Sequence, residues 1–343
     1  MKALVLKEYN MLVFEEIPDP EPGPDEVLIR VKACGICGSD VHGLDGSTGR
    51  RIPPLVMGHE ASGVVAGTGK KVRDLEIGER VTFDSTIYCG KCSFCRQGQV
   101  NLCDNRQVIG VSCDEYRRDG AYAEYVAVPR RCIYPIPGSL SFEQAVTVEP
   151  LSVALHAVGR SGAGSGHRAV VIGAGMIGLL AVQVLKARGL SFICAVDLDR
   201  ERLELALSLG ADDVLSSRDC DIPAEILKRT GDLGVDVVIE AVGLSSTFST
   251  ALACVRKGGA VSLVGNLTQS IELPLQKVVA RELTLYGSCA SAGEYPQCLE
   301  MLTTGAVKVD KLLSASAPLA EGPSWFARLY RGEKGLVKVC LLP

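Results

Sequence analysis

Cys37, Ser39, Asp40, His42, His59 and Glu60, all able to bind a metal or carry a proton, fall within two dozen residues. A thiolate, an imidazole and a carboxylate are donors that a borderline-soft ion such as zinc accepts, and a catalytic zinc keeps one position open beside three protein ligands. Singly, each residue is ordinary: a lone cysteine is usually a small core residue, and a lone histidine is more often structural. Cys37-Gly38-Ser39 followed by Gly58-His59-Glu60 is harder to explain by packing, and together the two segments point to a catalytic metal.

Four further thiols, Cys89, Cys92, Cys95 and Cys103, are spaced C-x2-C-x2-C-x7-C in a polar loop. Four thiolates close a tetrahedral zinc site with no further ligand. An iron–sulfur cluster is the competing metal. Free thiols at such a surface would be a liability, whereas a bound metal would staple a loop that has little core of its own.

The third chemical feature is Gly173-Ala174-Gly175-Met176-Ile177-Gly178. A G-x-G-x-x-G run alone is weak. Here it leaves the strand-like RAVVI of 168–172, opens a helical stretch to Arg188, and is followed nineteen residues after Gly178 by Asp197, at the end of FICAV. The glycines permit a tight turn and close backbone approach, the helix N-terminus favours a pyrophosphate, and Asp197 can accept hydrogen bonds from an adenosine ribose. This is the pattern of a dinucleotide site.

The elements that position these residues fall into two patterns. Residues 1–148 carry short runs rich in branched side chains (ALVL, EVLIRVKA, SGVVA, ERVTF, AEYVAV) separated by glycine and proline, which predicts a β-rich domain with Cys37 on a loop entering a short helix. Residues 149–288 alternate strand-like and helix-like segments, as in a doubly wound parallel α/β sheet. Residues 289–343 are expected to return to the first domain, with a helix over 296–304 and a final strand in GLVKVCLLP.

With 343 residues the chain is long enough for two domains. Apolar content of 47%, charged content of 22% and a net charge of −4 describe a globular protein with no general attraction for nucleic acid or anionic membrane. Ala169–Leu185 approaches membrane-spanning length with only Gln183 polar, but its early glycines favour a buried strand, turn and helix. The N-terminus reaches acidic residues before any long apolar run, unlike a signal peptide. Cys34, Cys113, Cys132, Cys194, Cys220, Cys254, Cys289, Cys298 and Cys340 are expected to be reduced, buried thiols, and a cytoplasmic location follows from that reading.

CGICGSD, GHE, the four-cysteine loop, Glu149-Pro-Leu-Ser-Val-Ala-Leu-His156 and VIGAGMIG, in this order, resemble the zinc-dependent medium-chain dehydrogenase/reductase family over essentially the whole chain, with its polyol dehydrogenase branch nearest. The resemblance implies a GroES-like catalytic domain built from both chain ends and a Rossmann domain between them. It implies a homo-oligomer, dimer or tetramer, a small alcohol as substrate, NAD as hydride acceptor and zinc in both clusters. The catalytic zinc would sit on Cys37 and His59, with Glu60 and Glu149 as carboxylate candidates. Ser39 would be the first proton carrier and His42 a later one. Met176, Ile177, Arg202, Val242, Val264 and Gly265 would join the glycine turn and Asp197 around the cofactor, with Arg202 beside the adenine. His156 is expected to pack within a helix and His167 to lie in a loop. The Phe-Arg-Tyr run of sorbitol-type members is replaced by the small residues of Ser288–Tyr295, which weakens sorbitol itself as substrate and leaves other diols, sugar alcohol phosphates or a threonine-like substrate. A non-catalytic relative that keeps the fold is the opposing reading, and the intact Cys37, Ser39 and His59 set speaks against it.

Overall fold

The computed structural model describes residues 1–113 and 116–343. They form two compact units: one of Met1–Glu149, Ala292–Thr303 and Val309–Pro343, the other of Pro150–Ser291 and Thr304–Lys308. Glu149, expected at the head of the second domain, groups with the first, and the short piece 304–308 groups with the second.

In the first unit the long strand Glu26–Gly35 is the hub. It pairs antiparallel with Glu60–Thr68 on one side, with Tyr125–Pro129 along its first half, and with the C-terminal strand Lys338–Leu342 near its end. Alternation of apolar and polar residues along EVLIRVKA puts Val27, Ile29, Val31 and Ala33 inward, all buried. Val27, Ile29 and Val31 join a core that includes Leu4, Met57, Phe83, Tyr122 and Phe326, and Ala33 packs in a smaller cluster with Val146 and Cys340. The register explains why distant segments meet: Gly35 lies opposite Glu60, and Cys340 lies opposite Gly35 on the other side. Cys37 follows this crossing and His59 precedes it, so pairing two strands brings the two ligand segments together.

The second unit holds a parallel sheet in the order Asp213–Ser216, Phe192–Asp197, Arg168–Ile172, Val235–Glu240, Val255–Leu263 and Thr284–Gly287, among the described residues. The helix Met176–Ala187 follows the glycine turn, and its residues from Gly178 to Leu185 are all buried. Burial on all sides explains the membrane-like hydropathy of this stretch. Among the described residues no helix is long and apolar enough to cross a membrane. The next helix, Arg200–Ser208, begins where Asp199 caps it by accepting from the Glu201 and Arg202 amides. His156 lies in the helix Val148–Arg160 and His167 in a loop.

All fourteen cysteines are free thiols. The expectation of buried thiols fails for Cys289, which is exposed, and only partly holds for Cys113 and Cys220, which are half-buried. Cys289 falls between the last parallel strand, Thr284–Gly287, and the helix Tyr295–Thr304.

Candidate functional site

Cys37 is the residue before a single helical turn, Gly38–Val41, and its carbonyl accepts from the Asp40 and Val41 amides. Gly58 presents His59 from the other segment. Its φ is +96°, and a Cβ there would come within 2.8 Å of the Tyr122 amide nitrogen, so only glycine fits. Ligand atoms of Cys37, His59 and Glu60 lie within 4.8 Å of one another. His59 and Glu60 are buried and Cys37 is partly open. One soft thiolate, one imidazole and one carboxylate at that spacing fit a zinc ion with one face left for substrate.

Charged side chains support His59 and Glu60. His59 Nδ1 lies 3.4 Å from Asp40 Oδ2, without the alignment of a full hydrogen bond. This leaves Nε2 for a metal and makes Asp40 the orienting partner. Asp40 is fully buried and tied by Arg51, whose Nε and Nη2 donate to Oδ1 at 2.9 and 2.6 Å. The Tyr122 hydroxyl lies 2.8 Å from Asp40 Oδ2 and 3.0 Å from the Gly35 carbonyl; with one proton it serves one at a time. Burial opposes ionisation of Asp40, yet His59 and Arg51 hold its carboxyl well below the usual range. Burial likewise opposes a charged His59, yet Asp40 and Cys37 raise the metal-free imidazole well above its ordinary value.

Glu60 Oε2 accepts from Lys338 Nζ at 2.5 Å, and the same ammonium donates to the Ile36 carbonyl at 3.0 Å. Both members of the pair are almost wholly buried. Burial works against the Lys338 charge, but Glu60 and then Cys37 raise it above the usual lysine value. Gly35 makes room for the pair: a Cβ there would stand 2.5 Å from Glu60 Oε2. Glu149 lies outside the 4.8 Å group. Part of its surface remains accessible, yet burial of its carboxyl is the strongest influence and raises it to about 7, against the pull of His59.

Ser39 and His42 are exposed. The Ser39 hydroxyl donates to Cys37 Sγ at 3.2 Å and accepts from Arg51 Nη2 at 3.1 Å. His42 closes the short helix.

The second cluster is local. The ligand atoms of Cys89, Cys92, Cys95 and Cys103 also lie within 4.8 Å of one another. Backbone amides point at the sulfurs: Cys89 N to Cys103 Sγ at 3.2 Å, Cys92 N to Cys89 Sγ at 3.4 Å, Cys95 N to Cys92 Sγ at 3.5 Å and Asn105 N to Cys103 Sγ at 3.4 Å. Amide donors from Lys91 and Cys92 bring the Cys89 thiol down to about 6, which favours the thiolate that a metal needs. Four thiolates held this way fit a closed zinc site.

In the second unit a Cβ on Gly178 would stand 1.7 Å from the Gly173 carbonyl oxygen, whereas one on Gly175 would meet nothing within 4 Å. The turn is thus packed on its protein side and open where a pyrophosphate would pass, which fits a dinucleotide. Asp197 sits at the end of the adjacent strand, and its carboxylate accepts from the amides of Ala174, Leu198 and Asp199 at 2.6, 2.7 and 2.9 Å. It keeps acceptor capacity for a ribose. Met176 and Ile177, in the glycine turn, and Arg202, in the helix that follows Asp197, are half-buried. Val242, Val264 and Gly265 meet at the ends of two neighbouring strands: the amides of Val264 and Gly265 donate to the Glu240 carbonyl, and the Val242 amide to its carboxylate.

Sequence reasoning did not find Lys338, Arg51, Tyr122 or Glu240. A single lysine inside an apolar terminal strand was the one available signal for Lys338; nothing local marks the others.

Residues 23–138 match the alcohol dehydrogenase GroES-like domain and residues 177–304 match the zinc-binding dehydrogenase family. The sorbitol dehydrogenase of Bacillus subtilis (strain 168) is 35% identical, over 100% of this chain and 97% of its own. The solved 2R,3R-butanediol dehydrogenase of Bacillus subtilis is 32% identical, with a TM-score of 0.90 over 100% of this chain and 99% of that one. A solved structure from Sinorhizobium meliloti 1021, bound to NADP, is 35% identical, with a TM-score of 0.92 over 100% and 99%. Matched along its whole length, the chain belongs to the zinc-binding dehydrogenases that carry an alcohol dehydrogenase GroES-like domain.

Proposed function

We propose that the protein oxidises a secondary hydroxyl of a polyol, a vicinal diol or a sugar alcohol phosphate and passes the hydride to NAD. The observation that carries this reading is the buried Cys37, His59 and Glu60 group with charged supports and one partly open member. Zinc, when bound there, would polarise the alcohol oxygen and make its proton easier to remove. Cys37 and His59 would hold it, with Glu60 or Glu149 as carboxylate partner. Bound NAD would accept the hydride from the carbon–hydrogen bond, and Ser39 would take the hydroxyl proton. His42 would carry that proton onward to solvent, consistent with the exposure of both side chains. Cys89, Cys92, Cys95 and Cys103 would hold a second, structural zinc.

Carboxylates at Glu60 and Glu149 make the pocket polar. A second hydroxyl on the substrate could donate to a carboxylate oxygen that Lys338 does not occupy, whereas a purely apolar alcohol has none to offer. The sorbitol and butanediol dehydrogenases among the relatives fit this preference.

For the cofactor, Gly173, Gly175, Met176, Ile177, Gly178, Arg202, Val242, Val264 and Gly265 would line the dinucleotide, and Asp197 would favour NAD, because a 2′-phosphate adds roughly −2 charge beside it. The NADP seen in a relative makes this the sharper test. Exposed Leu267, Ile271, Leu273, Leu275 and Val279, which precede the edge strand Thr284–Gly287 along the chain, support a homo-oligomer, and the reduced thiols support a cytoplasmic location.

The deciding experiment follows nicotinamide absorbance with NAD and with NADP against a panel of diols, polyols, their phosphates, ethanol and hexanol. Diols or polyols with NAD should be preferred. A preference for ethanol or hexanol over every diol and polyol would refute the substrate reading, and equal efficiency with NADP would refute the cofactor preference.

A further inference from the structure

Arg51 touches both the support of a metal ligand and the proposed proton carrier. The residue is 2% exposed, and its guanidinium is spent on three partners: Asp40 Oδ1 from Nε and Nη2, Ser39 Oγ from Nη2 at 3.1 Å, and the Arg50 carbonyl from Nη1 at 2.8 Å. Asp40 in turn stands behind His59, and Ser39 donates to the Cys37 sulfur. The backbone is shaped around this side chain. A Cβ on Gly43 would come within 2.3 Å of Arg51 Cγ, and the Ile52 amide donates to the Ser112 carbonyl, anchoring the segment that delivers Arg51.

We propose that Arg51 is a positioning residue for both halves of the reaction centre, fixing His59 through Asp40 and the relay hydroxyl through Ser39. The inference rests on the reading of Ser39 as first proton carrier. With one Ser39 lone pair held by Arg51 and its proton donated to Cys37 Sγ, the hydroxyl is fixed with its other lone pair open to the substrate proton, which it can take as it gives up its own. The planar fork holds both partners in a fixed geometry; an ammonium at the same place is a point donor on a flexible stem. Metal retention and proton removal therefore depend on one side chain, and lysine should separate them.

The test uses the full-length, zinc-loaded protein. Zinc release to a chromophoric chelator is read against His59→Ala, and kcat is read at saturating zinc, polyol and NAD. Arg51→Met should weaken zinc binding roughly 10- to 100-fold, the usual consequence of losing a ligand's partner, and should lower kcat as well. Arg51→Lys should recover most of the zinc affinity through Asp40 but keep the kcat deficit, with the KM for NAD unchanged. On a Ser39→Ala background, Arg51→Lys should cost little further turnover, because both changes remove one interaction. Wild-type kcat in Arg51→Lys, full zinc retention in Arg51→Met, or additive losses in the double variant would each overturn the proposal. If Arg51→Met does not fold, the lysine variant and the double variant decide it. Failure of the wild type on every polyol would sink the proposed reaction separately, and zinc release from Arg51→Met would then decide the His59 support alone.

Discussion

Two ligand clusters in the same unit reach the same donor spacing by opposite routes. Around Cys37, His59 and Glu60 the supports are side chains, two of them from far along the chain: Lys338 reaches Glu60 across 278 residues, and Tyr122 reaches Asp40 across 82. Around Cys89, Cys92, Cys95 and Cys103 the supports are backbone amides from at most 14 residues away. Backbone donors come with the turn that makes them and do not titrate. Charged side chains can be exchanged, and they set the charge and basicity of the group they touch. The first arrangement suits an ion that must hold and release substrate, the second an ion that only holds a loop.

The largest break in this comparison should come from His59→Ala. We expect about two zinc ions per wild-type chain and one in the variant, with turnover reduced by at least ~10³-fold and the fold retained by circular dichroism. Loss of the loop ion instead would contradict the assignment. Next in size is Lys338→Met, which strands the buried Glu60 carboxylate; removing one partner of such a pair costs about 3–5 kcal/mol. Denaturant unfolding of the metal-free protein should show it, and an unchanged midpoint would mean that Glu60 is solvated without Lys338. Cys103→Ala should do less, a loss of about 2–3 kcal/mol with release of the loop ion, while the Cys37 cluster keeps its own metal. If both ions leave together, the clusters are not independent.

The smallest effect concerns pH. Glu149 is raised from 4.5 to about 7 in the fold, so it binds its proton more tightly folded than unfolded. Its contribution to stability is full below pH 4.5 and is lost as pH rises through about 7. Metal-free Glu149→Gln should therefore match the wild type near pH 4 and be the more stable by a few degrees near pH 8. Parallel melting curves across that range would show that Glu149 has no such role. Zinc should shrink the difference if Glu149 joins the ion.

Local motifs made much of this legible from sequence. Cys37, His59, the four-cysteine loop and the glycine turn each carry their chemistry within a few residues, and the strands around them follow from alternation. What stayed hidden depends on register. Nothing in GLVKVCLLP says that Lys338 meets Glu60; that requires knowing that both flank Gly35 across two strand pairings. Arg51 is similar, one of two adjacent arginines in a loop, selected only by the space beneath Gly43. Burial of single thiols was misjudged at Cys289 because residue type predicts the average environment and not the gap between two elements.

The pairing of Glu60 with Lys338 also sets an order of events during synthesis. At about 5–20 residues per second, the 278 residues between them take roughly 15–55 s to add. Throughout that time the nascent chain carries Glu60 and His59 without the lysine that neutralises the carboxylate, and without the strand that closes the sheet beside Gly35. The ligand set can be complete in sequence long before it is complete in charge. A chain cut short before residue 338 would carry Cys37, His59 and Glu60 without the cation that pairs with Glu60.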